Sequence, residues 1–179
     1  MNFCSHCGSD RLEWQVPAGD NRHRYICQLC DTIHYENPKV VVGCLALWEG
    51  KILLCRRDIE PRKGLWNLPA GFLELEETVE AGARRELREE ALAEIDVWHQ
   101  HTLYTIPHVG QVYIHFIGEL INGKHAPGVE TTESVLFAPE DIPWDEIAFT
   151  STTFAIKKYL EHQTTPSEPM VHQGIFQKA

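Results

Sequence analysis

The stretch from Gly71 to Ala93 constrains the chain most, because a glycine-ended loop runs there into a predicted helix that carries Glu86, Glu89 and Glu90. At about 100° per residue, the three side chains fall within a sector of roughly 100° on the helix surface. Like charges so placed destabilise a helix by roughly 0.2–0.5 kcal/mol per pair, so a compensating cation is expected. Carboxylate oxygens are the ligands that magnesium and manganese prefer. The stretch therefore predicts a divalent-cation site, and the alternative is a solvated acidic helix face.

The residues around these glutamates have a fixed spacing: Gly71, five residues, Glu77, seven residues, Arg85-Glu86-Leu87, one residue, Glu89-Glu90. If each of the six glycine or polar positions is filled by chance about once in 15, such a match arises roughly once in ten million. The spacing resembles the box of the Nudix hydrolases. One departure is that Leu92 and Ala93 stand where the box has a glycine and an aliphatic residue.

The net charge of −10, from 26 acidic and 16 basic residues, argues against broad binding to nucleic acids or anionic membranes. An acidic protein that acts on an anionic phosphate compound needs bound cations, and metal ions meet that need. No apolar run reaches the roughly 18–20 residues that span a bilayer, and the start of the chain lacks the pattern of a signal peptide. The cytoplasm is the expected location.

Two cysteine pairs precede this region, Cys4-x-x-Cys7 and Cys27-x-x-Cys30, with the spacing of a four-cysteine zinc site. They predict a small zinc-ribbon domain over residues 1–36, with the zinc in a structural role. A segment this short buries too little surface to fold alone, so the metal supplies much of its stability. Disulfides fit poorly because nothing indicates secretion. A short basic cluster between the pairs leaves nucleic-acid binding as the less favoured alternative.

The main domain is predicted over residues 37–162, since Asn37-Pro38 interrupts regular structure, and residues 163–179 are predicted to form a tail or a partner-contacting arm. Hydrophobic patterning within the domain predicts strands and two helices. The strands are expected at 39–47, 51–56, 95–106, 111–120 and 135–137, and the helices at about 77–91 and 151–161.

The resemblance to Nudix hydrolases implies an α+β fold, an α/β/α sandwich around a mixed β-sheet. A four-cysteine ribbon followed by such a domain resembles the zinc-ribbon Nudix subgroup. Within that subgroup, the likeness is greatest to the FAD and ADP-ribose pyrophosphatases of bacteria and plant chloroplasts. The segments that carry this likeness are Tyr35–Leu45, Gly64–Gly71 and Ala126–Glu130.

The resemblance also implies roles for the residues of the box. The ligands of the catalytic Mg²⁺ or Mn²⁺ are expected to be Glu86, Glu89, Glu90 and the carbonyl group of Ala70. The residues that support the box by holding its loop against its helix are expected to be Gly71, Glu77 and Arg85.

Outside the box, Nudix enzymes often use a further acid from a later loop, and Glu130 and Glu133 are the two candidates. Arg56 and Arg57 close the second strand and are plausible phosphate ligands, with surface charge as the alternative. Trp66 belongs either to the core or to the binding site for the base.

The implied function is metal-dependent hydrolysis of the pyrophosphate bond in a nucleoside diphosphate-linked compound, FAD or ADP-ribose first, with release of AMP. The rivals are NADH or a capped RNA end as substrate and, in another class, a module that senses a nucleotide without turnover. The resemblance further implies a homodimer.

Overall fold

The computed structural model describes residues 1–162 and 170–177, and the chain divides into one compact unit, Met1–Asn37, and a second that starts at Pro38. The first unit is an antiparallel three-stranded sheet. Its strands are β1 (Leu12–Gln15), β2 (Arg24–Cys27) and β3 (Ile33–His34).

The second unit contains an eight-stranded mixed sheet and two α-helices. Its elements are β4 (Lys39–Trp48), β5 (Lys51–Arg57), β6 (Trp66–Asn67), β7 (Ala70–Phe72), α1 (Val79–Ala91), β8 (Ile95–Ile106), β9 (Gln111–Leu120), β10 (Thr131–Phe137), α2 (Thr150–His162) and β11 (His172–Ile175). The main path of the sheet runs β10-β5-β4-β9-β8-β11, with β6 paired to β5 and β7 paired to β4. The predicted strands are confirmed, and β10 begins four residues earlier than predicted.

The alternation of β4 and β5 divides the core between the two faces of the sheet, because successive strand side chains point to opposite sides. On one face, Ala83 and Leu87 of α1 pack with Val42, Cys44 and Leu53. On the other face, α2 packs through Ala155 and Ile156 against side chains that include Leu45, Leu54 and Ile117. The predicted α/β/α sandwich is therefore confirmed. Among the described residues, no helix is both long and apolar enough to cross a membrane.

Thr78 caps the start of helix α1. The hydroxyl of Thr78 accepts a 3.1 Å hydrogen bond from the backbone N–H of Ala81, which satisfies one of the unpaired donors of the first turn. At the other end, Leu92 adopts the left-handed conformation (φ 47°, ψ 37°) that glycine ordinarily supplies. Its N–H donates to the carbonyl of Arg88 at 3.0 Å. The helix thus ends in a left-handed cap in which a leucine under backbone strain takes the place of the box glycine.

Replacing Leu92 by glycine should stabilise the protein by about 0.5–1 kcal/mol, because relief of the left-handed strain exceeds the added entropy of the unfolded chain. Urea unfolding measures the change. Leu75→Gly is the matched control, since Leu75 is 94% exposed and is absent from the residues with positive φ. Its replacement should destabilise the protein or leave it unchanged. A lower stability for Leu92→Gly than for the wild type would contradict this account.

The loop before β10 closes the end of α1. Backbone N–H groups of Ala126 and Gly128 donate to the carbonyls of Ala91 and Glu90 at 2.8 and 2.9 Å. A Cβ on residue 128 would lie 1.7 Å from the carbonyl oxygen of Glu89, so only glycine permits this approach. The loop that carries Glu130 is thereby fixed to the last turn of the helix.

Strand β11 lies in the region predicted to be a tail. It pairs in parallel with β8, with Gly174 opposite Tyr104. A Cβ at Gly174 would lie 2.8 Å from the rings of Phe154 and Tyr104, so glycine lets the strand pack against them. Four residues with one apolar side chain give no periodic signal, and pairing with β8 creates the strand. Residues 163–169 and 178–179 of the predicted tail lie outside the described residues.

Candidate active site and cysteine centre

Helix α1 divides its acidic side chains between the interior and the solvent. Glu86 and Glu90, one turn apart, are 9% and 8% exposed, whereas the side chain of Glu89 is 58% exposed. Ala83 and Leu87, on the packed side of the helix, fix this orientation. The three glutamates lie on one side of the helix, as predicted. Glu86 and Glu90 point into the interior, and Glu89 points into solvent.

Arg85 connects the loop before the helix to the acidic sector. Its Nε and Nη2 donate to the two oxygens of Glu77 at 3.1 and 2.8 Å, and Nη2 also donates to the carbonyl of Phe72 at 3.1 Å. Its Nη1 donates to Glu86 at 2.7 Å and to Glu89 at 3.0 Å. The hydrogen bonds from Arg85 and from the N–H of Glu74 lower the pKa of Glu77 to about 2. The pairing expected from the resemblance is therefore present, and the same guanidinium also binds two of the expected metal ligands.

Gly71 lets the loop backbone pass directly over the carboxylate of Glu86. A Cβ at this position would lie 2.4 Å from the carboxyl carbon and from both oxygens of Glu86. Burial raises the pKa of Glu86, although the hydrogen bond from Arg85 opposes the shift. The glycine therefore makes room for a buried carboxylate.

Gly71→Ala should lower kcat by about 10-fold or more with a small loss of stability, because the displaced group is the mobile end of one side chain and its precise placement matters for catalysis. Initial-rate measurement and urea unfolding test the two parts. Gly50→Ala is the control with the opposite expectation, since Gly50 has φ +75° and nothing lies within 4 Å of an added Cβ. That variant should lose stability and keep its kcat. A wild-type kcat for Gly71→Ala would contradict the role of Gly71 in placing the carboxylate of Glu86.

Glu90 is held by the strand next to the box loop. Its Oε2 accepts a 3.1 Å hydrogen bond from the backbone N–H of Ala70. Burial raises the pKa of Glu90 to about 8, the Ala70 hydrogen bond opposes this, and the charges of Glu86 and Glu130 add to it. Glu90 is thus a buried carboxylate whose orientation is set by the backbone of Ala70.

The three glutamates do not converge as a single cluster. Among residues 1–162 and 170–177, the only group of three or more potential ligands with all ligand atoms within 4.8 Å is formed by cysteines. Arg85 holds Glu86 and Glu89, while Glu90 turns toward Ala70. The arrangement presents one exposed and two buried carboxylates on one side of α1, with a guanidinium neutralising part of their charge.

The two later acids have different surroundings. The charge of Glu130 raises the pKa of both Glu86 and Glu90, and its loop is hydrogen-bonded to the last turn of α1 through Ala126 and Gly128. Glu133 instead forms an ion pair with Arg56, with 2.9 Å between Oε1 and Nε.

Trp66 is 4% exposed and lies in the core, where its ring meets the edge of Phe137 at a centroid distance of 4.9 Å. The guanidinium of Arg56 covers its ring at 4.6 Å. Trp66 is therefore a core residue, and little of its ring is available to a base.

The sequence analysis did not single out Gly128, which lets the Glu130 loop approach α1, or Phe149, whose ring contacts the guanidinium of Arg57. Gly128 lies inside the Ala126–Glu130 likeness segment, whereas no signal distinguishes Phe149.

The four cysteines of the first unit form a closed cluster. The sulfur atoms of Cys4 and Cys30 lie 3.7 Å apart and those of Cys7 and Cys27 lie 3.6 Å apart. A tetrahedral zinc ion with ligands at about 2.3 Å would hold its sulfurs about 3.8 Å apart, so the cluster fits zinc. Hydrogen bonds from Thr32 lower the pKa of Cys30, whereas hydrogen bonds with the neighbouring thiols raise the pKa of Cys7.

The family comparisons agree with this geometry. A model described as the NUDIX domain matches residues 37–159, and one described as Nudix N-terminal, a zinc ribbon, matches residues 2–36. The chain belongs to the Nudix family and is a Nudix pyrophosphohydrolase with an N-terminal zinc-ribbon domain.

Individual relatives extend the comparison. The crystal structure of a NUDIX hydrolase from Nitrosomonas europaea is 45% identical, with a TM-score of 0.92 over 99% of this chain and 100% of that one. An ADP-ribose pyrophosphatase from Methanocaldococcus jannaschii is 34% identical over 115 residues, 61% of this chain and 67% of the relative. The phosphatase NudJ of Escherichia coli K12 is 49% identical over 53 residues, 30% of this chain and 34% of the relative.

Proposed function

We propose that this protein hydrolyses the pyrophosphate bond of ADP-ribose in a reaction that depends on a divalent metal ion, and that FAD is the next substrate in rank. The observation that carries the proposal is the buried pair Glu86 and Glu90, pressed against the backbone at Gly71 and Ala70. The 34% identical archaeal ADP-ribose pyrophosphatase supports the choice of substrate. ADP-ribose and water would give AMP and ribose 5-phosphate as the P–O–P bond breaks.

The residues fit a bound Mg²⁺ or Mn²⁺. Two buried carboxylates with raised pKa values and one exposed carboxylate supply the oxygen ligands that these ions prefer. The ligands would be Glu86, Glu89, Glu90 and the carbonyl of Ala70. Such an ion neutralises phosphate charge and lowers the pKa of a bound water.

The protein residues provide the positioning. Glu77 and Arg85 hold the box loop on α1, and the Ala70 N–H orients Glu90. We assign Glu130 as the general base that accepts a proton from the attacking water, because its loop is hydrogen-bonded to the last turn of α1 while Glu133 is paired with Arg56.

Glu130→Gln should lower kcat by about 10²–10⁴-fold, the usual contribution of a general base, while Glu133→Gln should change it by less than about threefold. Both side chains lie in the β10 region, so each variant serves as the control for the other. Initial rates at saturating substrate distinguish the two. The reverse ranking would assign the base to Glu133.

The function is tested with the purified full chain, Mg²⁺ and a panel of ADP-ribose, FAD, NADH, a dinucleoside polyphosphate and capped RNA, by chromatography of the released nucleotide. ADP-ribose should give the highest kcat/KM, with AMP as product. A higher kcat/KM for NADH or capped RNA would show that this compound, and not ADP-ribose, is the preferred substrate. Tight nucleotide binding without hydrolysis of any compound would support a sensing module instead.

Two further parts of the proposal concern the state of the protein. A homodimer is proposed from the family resemblance, and light scattering after gel filtration tests it. The four thiol ligands of a zinc centre must remain reduced, which fits a reducing compartment such as the cytoplasm.

A further inference from the structure

Adjacent arginines at the end of β5 have different partners, although the sequence offers no way to rank them. Arg56 forms ion pairs with Glu133 at 2.9 Å and Glu146 at 3.6 Å, and it donates through Nη1 to the carbonyl of Gly64 at 3.2 Å. The guanidinium of Arg56 is therefore neutralised by two carboxylates of the protein. Successive strand residues point to opposite sides, so Arg57 faces another environment.

Arg57 lies next to the loop that carries Glu130, because it is paired with Thr131 of β10 and the N–H of Asp58 donates to the carbonyl of Glu130 at 2.9 Å. Its charge lowers the pKa of Glu90 and of Tyr113, and no carboxylate among the described residues forms an ion pair with it. Its Nε donates to the carbonyl of Pro61 at 3.0 Å. The carbon centre of its guanidinium lies 5.1 Å from the centroid of the Phe149 ring.

Phe149 is held in place by the backbone on both sides. The N–H of Ala148 donates to the carbonyl of Trp66 at 2.8 Å, and Ile147 forms a parallel bridge with the same residue. The carbonyl of Phe149 accepts from the N–H of Thr153 in α2 at 3.1 Å. The ring therefore sits at a fixed point between β6 and α2.

We propose that Phe149 is a positioning residue that holds Arg57 so that the terminal N–H groups of Arg57 meet a phosphate oxygen of the substrate beside Glu90. This inference rests on the proposed pyrophosphatase function. An aromatic ring attracts the flat face of a guanidinium, whereas the five N–H donors lie in the guanidinium plane. A ring therefore fixes the arginine without using its donors, which a carboxylate partner would occupy.

The test is a double-mutant cycle of Phe149→Leu and Arg57→Lys in the full-length protein. Phe149→Leu should raise KM for ADP-ribose about 3–10-fold and leave kcat within about twofold, which corresponds to loss of one cation–π contact. Phe149→Tyr, which keeps the ring, should restore KM to within about twofold of the wild type. If Phe149 acts through Arg57, the double variant should match Arg57→Lys alone within about twofold.

The same cycle is measured on binding of an ADP-ribose analogue in which a methylene group replaces the bridging oxygen, by titration calorimetry. This analogue reports phosphate binding without hydrolysis. A wild type that binds the analogue, shows the coupling and hydrolyses nothing would overturn the proposed function and support this inference. If the wild type hydrolyses ADP-ribose but the effects of Phe149→Leu and Arg57→Lys on KM and on analogue affinity multiply, this inference alone is overturned.

Trp144→Leu is the matched control, because the ring of Trp144 covers Lys157 at 5.7 Å in a cation–π pair outside the proposed site. It should leave KM and the affinity for the analogue unchanged. Urea midpoints of all variants show whether Phe149→Leu disturbs packing. An equal KM change in Phe149→Leu and Phe149→Tyr would indicate a packing role for Phe149 and contradict the proposal.

Discussion

Glu89→Gln should lower kcat by about 10²–10⁴-fold and leave the free energy of unfolding nearly unchanged. The side chain of Glu89 is 58% exposed, and its one described partner is Arg85 at 3.0 Å. Exposed ion pairs contribute about 0–1 kcal/mol to stability, so the fold does not depend on it. If Glu89 holds a metal ion, its substitution should therefore reduce activity without reducing stability.

Glu80→Gln is the matched control for this experiment. Glu80 lies on the same helix and pairs with Arg84 at 2.9 Å, so the substitution also removes one carboxylate that faces an arginine one turn away. Its kcat should stay within about twofold of the wild type, since Glu80 lies outside the acidic sector. Initial rates over a range of Mg²⁺ concentrations measure both variants. A kcat for Glu89→Gln within threefold of the wild type would refute its role as a metal ligand.

Cys27→Ser should remove zinc and unfold residues 1–36 while the second unit stays folded. The sulfur of Cys27 is fully buried and lies 3.6 Å from that of Cys7. Structural zinc contributes about 10–16 kcal/mol of binding free energy in small zinc domains, far more than so small a core supplies. Metal analysis should fall from about one zinc per chain to nearly none, and amide exchange should lose protection in the first unit alone.

Cys44→Ala provides the control, because Cys44 is buried in the second unit and its thiol donates to the carbonyl of Ala83 at 3.3 Å. This variant should lose some stability and keep its zinc. Treatment of the wild type with a strong chelator should reproduce the exchange pattern of Cys27→Ser. Amide protection of residues 1–36 in zinc-free protein would contradict the structural role of the metal.

The elements that the sequence predicts well are those specified by neighbouring residues. Thr78 caps α1, and the turn at Glu49 and Gly50 joins β4 to β5 with both residues at positive φ. The two C-x-x-C turns form because each pair needs only its own few residues. Periodicity and turn chemistry act over a few residues, so a sequence displays them directly.

Other features depend on residues far apart in the chain. Strand β11 forms where β8 offers an open edge, and its own four residues carry no pattern that indicates a strand. Leu92 ends α1 in a conformation that disfavours leucine, and the loop at Gly128 secures the same helix end. Local propensity does not predict such choices, because tertiary packing overrides it.

For the candidate site, the sequence by itself determined the kind of chemistry: an acidic helix sector suited to a divalent cation, supported by Glu77 and Arg85, and a separate four-cysteine centre. Only the tertiary structure decided which carboxylates are buried, that Glu133 is paired with Arg56, and that the loop of Glu130 is bound to the end of α1. The physical reason is that helix periodicity fixes the relative angles of side chains on one element. Burial, pKa and partner choice depend on which distant elements pack against that element.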